Sequence, residues 1–150
     1  MPVTMEQVRA ELDRDEPNYD RLARLGPEAL PHLAALVRSD DPMLASKAAY
    51  GTTLIPGGRA IEVLQAAATS PHDTVRVAVA AGARNLQSPE ARQVLERLLD
   101  DEDVGVRKFA LQSTQALRLT EMKPKVEEVA ASDSVESLRS LASQTLQEMD

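Results

Sequence analysis

Apolar positions return along this chain with a period of about 31 residues. The stretch VRVAVAAGARNL at 75–86 reappears as VRKFALQSTQAL at 106–117 and, more faintly, as LRSLASQTLQEM at 138–149. When these three copies are aligned with the segment 44–55, all four share apolar or small residues at steps of four, three and four. These steps trace one face of an α-helix. The four columns hold Leu44, Val75, Val106 and Leu138, then Ala48, Val79, Ala110 and Ala142, then Gly51, Gly82, Ser113 and Thr145, then Ile55, Leu86, Leu117 and Met149.

A second set of columns lies between these and predicts a second helix in every repeat. Its leading column is strictly apolar, and its members are 31 residues apart: Leu33, Leu64, Leu95 and Val126. The flanking columns hold Ala29, Ala60, Ala91 and Met122, and Leu36, Ala67, Leu98 and Val129. One amphipathic helix pair cannot bury its own apolar stripe, so successive pairs must stack. The sequence therefore predicts an all-α fold, a right-handed α-solenoid of about four to five helix pairs.

The turn and capping residues between the predicted helices indicate one repeat domain over residues 1–150. A capping box at Thr4 and Gln7 opens an N-terminal capping helix. Proline and glycine turns and acidic loops separate the later helices and supply their N-caps. The predicted segments are an N-terminal cap at 1–16, repeats at 17–39, 40–70, 71–101 and 102–132, and a C-terminal capping helix at 133–150.

The segments DTVRVAVAAGARNL at 73–86 and EDVGVRKFALQSTQAL at 102–117 resemble HEAT repeats, in particular the phycobilisome lyase HEAT-like repeats. Both have an acidic loop, then Val-Arg, then spaced Ala and Leu, and the resemblance extends over about 18–150. It implies an aspartate–arginine ladder between successive repeats, here Asp73 with Arg76, Asp103 with Arg107 and Asp133 with Arg139. Ala45 replaces the arginine in the first full repeat, where the ladder should be interrupted.

The same resemblance implies that the second helices line a concave face on which a partner binds. The polar positions expected there are Glu28, His32, Arg59, Glu62, Glu90, Gln93, Arg97, Lys125 and Glu128. Val63 and Val94 are expected to be exposed among them. Because these columns are mixed but acidic, the expected partner is another protein with basic and apolar character.

Composition narrows the classes of function. The chain has no Cys and only three aromatic residues, and its formal net charge is −7. Without cysteine there is no disulfide, thiolate metal site or thioether attachment point on this chain. No stretch approaches the roughly 20 apolar residues of a membrane span. We therefore expect a cytoplasmic protein with no membrane partner.

The charge also argues against nucleic acid, because no column is basic and few aromatics are available for stacking. Six scattered cations could form a local basic patch, but solvation of separate charges is the favoured interpretation. These cations are Arg84, Arg92, Lys108, Arg118, Lys123 and Lys125. Two potential ligands, His32 and Glu62, do not make a metal site. No catalytic motif is present, so the sequence predicts no cofactor, no metal and no enzyme activity.

The leading interpretation is thus an interaction scaffold that binds a partner protein. Two alternatives stay open. One is a subunit or accessory factor resembling the bilin lyase and isomerase HEAT proteins, which the repeat resemblance implies. The other is a HEAT-like protein that binds nucleic acid.

Overall fold

The computed structural model describes residues 2–149, so the predicted domain limits at 1 and 150 lie outside the described residues. Ten α-helices and no strand occur within this range. The helices are α1 Met5–Leu12, α2 Tyr19–Arg24, α3 Leu30–Leu36, α4 Pro42–Thr52, α5 Ala60–Ala67, α6 Asp73–Gly82, α7 Ser88–Leu98, α8 Val104–Ala116, α9 Lys123–Ser132 and α10 Glu136–Met149. Short 3-10 turns at Gly26–Ala29, Ala83–Asn85 and Thr120–Met122 adjoin some of them.

Helices α1, α4 and α8 begin at the caps that the sequence predicts, whereas α3, α5, α7 and α9 begin without a side-chain cap. Thr4 Oγ1 accepts from the N–H of Gln7 at 3.2 Å, and Gln7 Oε1 accepts from the N–H of Thr4 at 2.8 Å, so the capping box is present. Asp41 and Asp103 each accept a hydrogen bond from a first-turn N–H, of α4 and α8 respectively. These carboxylates satisfy helix donors that would otherwise have no partner.

The periodic columns form the core. Leu33, Leu64, Leu95 and Val126 are all fully buried, as the strict spacing of their column predicts. Two positions depart from the pattern, because Leu86 and Leu117 are only half-buried. The other two members of that column, Ile55 and Met149, are buried.

The helices group into two compact units, and the first is Met1–Val79. Within it, α2, α3 and α5 all pack on α4. Two helices pack closely at Gly51, where an added Cβ would lie 2.3 Å from Cδ2 of the fully buried Leu22. The Tyr19 and Tyr50 rings meet beside it, with centroids 5.0 Å apart. Burial raises the pKa of Tyr19, and Tyr50 adds to this.

The second unit is Ala80–Asp150, in which α10 packs on α8 and α9, and α7 packs on α8. Ser113, which occupies the same column as Gly51, donates through Oγ to the carbonyl oxygen of Ala80 at 2.6 Å. Thr145, the last member of that column, donates to the carbonyl oxygen of Leu141 at 2.8 Å. The column of small residues, to which Gly51, Ser113 and Thr145 belong, therefore makes close contacts in both units, and the contacts differ in kind. The predicted repeat boundaries stay a prediction.

Candidate functional site

The second-helix face of the first unit comprises Glu28, His32, Arg59 and Glu62, from α3, α5 and the turns before them. Glu28, Arg59 and Glu62 are exposed. His32 is half-buried, and its Nε2 lies 2.8 Å from the carbonyl oxygen of Val3. Because a carbonyl only accepts, the ring nitrogen is the donor in this contact. His32 therefore holds the N-terminal segment against α3, and the exposed charges of this face are the other three.

The second-helix face of the other unit comprises Glu90, Gln93, Arg97, Lys125 and Glu128, from α7 and α9. Gln93, Arg97 and Glu128 are exposed, whereas Glu90 and Lys125 are half-buried. Lys125 Nζ donates to a carboxylate oxygen of Asp100, and this hydrogen bond raises the pKa of Lys125. One of the two cations of this face, Lys125, is thus partly neutralised within the unit.

The expectation that Val63 and Val94 are exposed is wrong. Val63 is 8% exposed and Val94 is 1% exposed. Each immediately precedes a fully buried leucine, Leu64 or Leu95, and is buried with it. The apolar arc of α5 and α7 is therefore wider than one column, and these two valines give a partner nothing to contact.

The arginines of the predicted ladder share one contact. The Nη1 atoms of Arg76, Arg107 and Arg139 each donate to the carbonyl oxygen of a residue six positions earlier, at 2.7, 2.9 and 2.6 Å. Those acceptors belong to the loops that precede the first helices: Ser70, Asp101 and Asp133. Each arginine thus ties its helix to its own entry loop, which is a structural role. Asp73 is exposed in the first turn of α6.

One ion pair of the ladder joins successive repeats within the second unit. Arg107 donates through Nε and Nη2 to the two carboxylate oxygens of Asp133, at 2.8 and 3.2 Å. The pairing of Arg107 with Asp103, suggested by the resemblance, needs correction, because Asp103 caps α8 and Arg107 reaches the next loop. Ala45, the substitute at the first repeat, is fully buried.

Asp133 is the carboxylate most affected by this arrangement. Burial raises its pKa, but the N–H of Val135 and the guanidinium of Arg107 outweigh that effect, so the pKa lies below the ordinary value of 3.8. With side chains only 12% and 5% exposed, Arg107 and Asp133 form a pair shielded from solvent.

The scattered cations of the sequence have different surroundings. Arg92 lies between two acids, with its Nε 2.8 Å from an oxygen of Glu96 and its Nη1 bonded to Glu121. The hydrogen bond to Glu96 is the main reason that the pKa of Arg92 is raised. Lys108 lies over its neighbouring Phe109 ring at 6.0 Å. These cations are not gathered into one patch.

Arg84 and Arg118, in contrast, line the same groove in the second unit. We call this the arginine groove, and it has a volume of about 670 Å³. Its polar lining consists of Arg84, Gln112, Gln115, Arg118, Gln144 and Glu148. The sequence columns did not reveal it, because neither arginine belongs to one of the apolar columns of the repeats. The signal available was Arg118 itself, which follows α8 at a position where a glycine is common.

Two further observations bear on the kind of site. Within residues 2–149, no three side chains of the His, Asp or Glu type are placed to hold a metal ion. No helix in the described part of the chain is long and apolar enough to cross a bilayer.

Comparison with known proteins agrees with the helix-pair architecture. The sequence profile described as HEAT repeats matches residues 60–147. A solved structure, the complex of CpcE and CpcF of phycocyanin lyase from Nostoc sp. PCC7120, contains a chain similar to this one with a TM-score of 0.72. The two are 22% identical, over 95% of this chain and 97% of that chain. No curated protein matches the sequence.

At 22% identity the structural likeness shows the fold. It confirms the predicted all-α solenoid of HEAT-like helix pairs and the resemblance to lyase-type repeats. The profile match extends over more than half of the chain, and so the chain belongs to the family of HEAT repeats.

Proposed function

We propose that this chain is a non-catalytic protein–protein interaction scaffold that holds a partner on its second-helix face. The observation that carries the proposal is in the first unit. There Glu28 and Glu62 are exposed, and neither forms an ion pair with any residue in the described range. The other sides of their helices are buried in the core. Carboxylates left free on a rigid helical surface suit recognition of a partner by charge.

The class of partner is a protein. In the similar solved structure, two proteins, CpcE and CpcF, form a complex, which supports a protein partner for this fold. The exposed carboxylates favour a basic surface on that partner. Burial of Val63 and Val94 removes the support for an apolar contact at this face. Charge complementarity therefore carries this interface, which makes binding sensitive to salt.

Charge reversal tests the proposal directly. We would capture partners from a lysate of the source cells, identify them, and measure their affinity for the purified chain and for the triple variant Glu28→Lys, Glu62→Lys and Glu128→Lys. Loss of about tenfold or more in affinity is expected, because three favourable charge contacts become repulsive.

The matched control carries the same charge change elsewhere, as Glu6→Lys, Glu16→Lys and Glu102→Lys, at three exposed positions outside the second helices. It should bind within about twofold of the parent chain, since distant exposed charges are screened. Equal weakening by both triple variants would contradict a site on the second-helix face.

A second candidate function rests on the structural likeness over 95% of the chain to part of a phycocyanin lyase complex. In this function the chain is a subunit or accessory factor of a lyase-type assembly. Titration with a free bilin, followed by visible absorption, tests it. A saturable spectral change would favour this second function, whereas an unchanged spectrum and no retention of bilin in dialysis would count against it.

A further inference from the structure

The arginine groove lies in the second unit, and its Arg118 also lines a neighbouring cavity with Gln93 of the second-helix face. Its walls are the C-terminal half of α8, the outer part of α10 and the turn at Ala83–Asn85. Polar side chains make up most of the lining, and Ala116 and Leu141 contribute the rest. A groove of this size accommodates a few residues of an extended peptide.

The charges of the groove are not balanced. Arg84 and Arg118 are exposed, and neither takes part in an ion pair with a described residue. The one carboxylate of the lining, Glu148, accepts hydrogen bonds from the amides of Gln115 and Gln144 instead. The groove therefore has two guanidinium groups without an ion pair and one carboxylate, an excess of positive charge in a chain whose net charge is −7.

The backbone of Arg118 gives independent support. Its φ is 50°, and no other non-glycine residue within 2–149 has a positive φ. The N–H of Leu119 donates to the carbonyl oxygen of Thr114 at 3.1 Å, as in the Schellman motif that ends many helices. Arg118 stands at the position of this motif that glycine normally occupies. Strained conformations of this kind concentrate at binding sites. An arginine held in one, at the rim of a groove, indicates a use for its guanidinium.

We propose that the arginine groove binds an acidic segment of a partner protein. Arg84 and Arg118 would each hold a carboxylate, for which the planar guanidinium offers paired donors. The amide of Gln112 is placed in the same lining and matches the donor and acceptor groups of a peptide backbone. None of the residues that line the groove belongs to the second-helix face, so the chain would hold two protein surfaces through different residues.

A peptide fits the groove better than a nucleic acid does. No aromatic side chain lines it, so bases would have nothing on which to stack. The net charge of the chain repels a polyphosphate, whose binding needs several cations. A short acidic peptide requires only the two arginines and the neighbouring amides.

The test is a titration of the isotope-labelled chain with a blocked peptide of alternating glycine and glutamate, observed by NMR. We expect saturable shifts at the side-chain N–H groups of Arg84, Gln112 and Arg118. The double variant R84Q/R118Q should bind at least about tenfold more weakly, as loss of two charge-assisted contacts implies. The control R24Q/R38Q removes two exposed arginines of the first unit and should bind within about twofold of the parent.

Three results would overturn the proposal. The first is equal weakening in R84Q/R118Q and R24Q/R38Q, which would mean attraction to overall charge. The second is the absence of shifts at the groove. The third is binding of inorganic phosphate or a single-stranded oligonucleotide at the same resonances, as tightly as the peptide. Circular dichroism of both double variants shows whether they keep their fold. The single variant R84Q, which leaves Arg118 in place, is titrated as well in case the double variant does not fold.

Discussion

In the unit Met1–Val79, the C-terminal end of α4 packs on α2 at a glycine, and a Cβ at Gly51 would overlap Leu22. In the unit Ala80–Asp150, two of the three members of the same column carry hydroxyls, and the third is Gly82. Ser113 and Thr145 donate hydrogen bonds to Ala80 and Leu141. The first unit thus fixes this position by close apolar packing, and the second fixes it by polar contacts between and within helices.

The column of Ala45, Arg76 and Arg107 differs between its first and last members in the same sense, although Arg76, also in the first unit, bonds its entry loop at Ser70. Ala45 stands buried at the start of α4, whereas Arg107 at the start of α8 pairs with Asp133 and two loop carbonyls. One repeat pattern is therefore compatible with two kinds of contact, one steric and one electrostatic.

The largest effect is expected from Arg107→Ala. It leaves the buried carboxylate of Asp133 without its ion-pair partner and two loop carbonyls without a donor, which should cost about 3 kcal/mol of unfolding free energy. With a urea dependence of about 2 kcal/mol per molar, the midpoint falls by about 1.5 M. Urea titration followed by circular dichroism measures this. Arg97→Ala, at an exposed arginine without an ion pair in the described range, should change stability by less than about 0.5 kcal/mol.

The next effect is expected from Gly51→Ala. Alanine favours a helix over glycine by about 1 kcal/mol, so without a steric clash the variant would be more stable. The overlap with Leu22 should reverse the sign and leave a net loss of about 2 kcal/mol. Tyrosine fluorescence is a suitable readout, because both tyrosines of the chain, Tyr19 and Tyr50, lie in this unit.

Gly58→Ala is the matched control for that substitution. A Cβ at Gly58 would have no atom within 4 Å, so its stability should change by less than about 0.5 kcal/mol. If Gly51→Ala were as stable as Gly58→Ala, close packing at Gly51 would not be what fixes the first unit.

The sequence predicts the core well because burial repeats with the helix pairs. The column of Leu33, Leu64, Leu95 and Val126 is buried throughout, as its spacing requires. The partner of Arg107 could not be predicted with the same accuracy. Both Asp103 and Asp133 lie in suitable loops, and only the folded geometry shows that capping occupies the first and leaves the second for the arginine.

The candidate surface was harder to predict than the core. The repeat period predicts which column faces the core, but it does not predict how wide the buried face of each helix is. The column of His32, Val63, Val94 and Lys125 shows this, because two members are buried and two are half-buried. The arginine groove was harder still, since it joins residues from a 3-10 turn and a helix end that no repeat column contains.

A smaller effect is expected from pH acting on the ladder of the second unit. The pKa of Asp133 is lower in the folded chain than the ordinary 3.8, so its ionised form contributes stability above that pH. This contribution is lost as the pH falls through the folded value. Unfolding free energies measured from pH 6 to pH 2 should therefore differ between the parent and Asp133→Asn at the upper end, and converge at the lower end.

The exposed Asp40 provides the control for this pH series. Asp40→Asn should follow the parent curve throughout, because an exposed carboxylate without a partner in the described range contributes little. A parent curve that stays parallel to that of Asp133→Asn down to the lowest pH would contradict a role for Asp133 ionisation.

The smallest effect concerns backbone strain, where the units differ again. Positive φ values in the first unit fall on glycines, Gly26 at 73° and Gly57 at 98°, but in the second unit Arg118 adopts 50°. Arg118→Gly should therefore raise the unfolding free energy by about 1 kcal/mol, as thermal or urea unfolding would measure. Arg118→Ala removes the guanidinium but keeps a Cβ in the strained conformation, so it should gain nothing. Equal stability of the two variants would mean that Arg118 is not strained. A gain confined to glycine would mean that the chain retains an arginine there at a cost in stability, as a binding role requires.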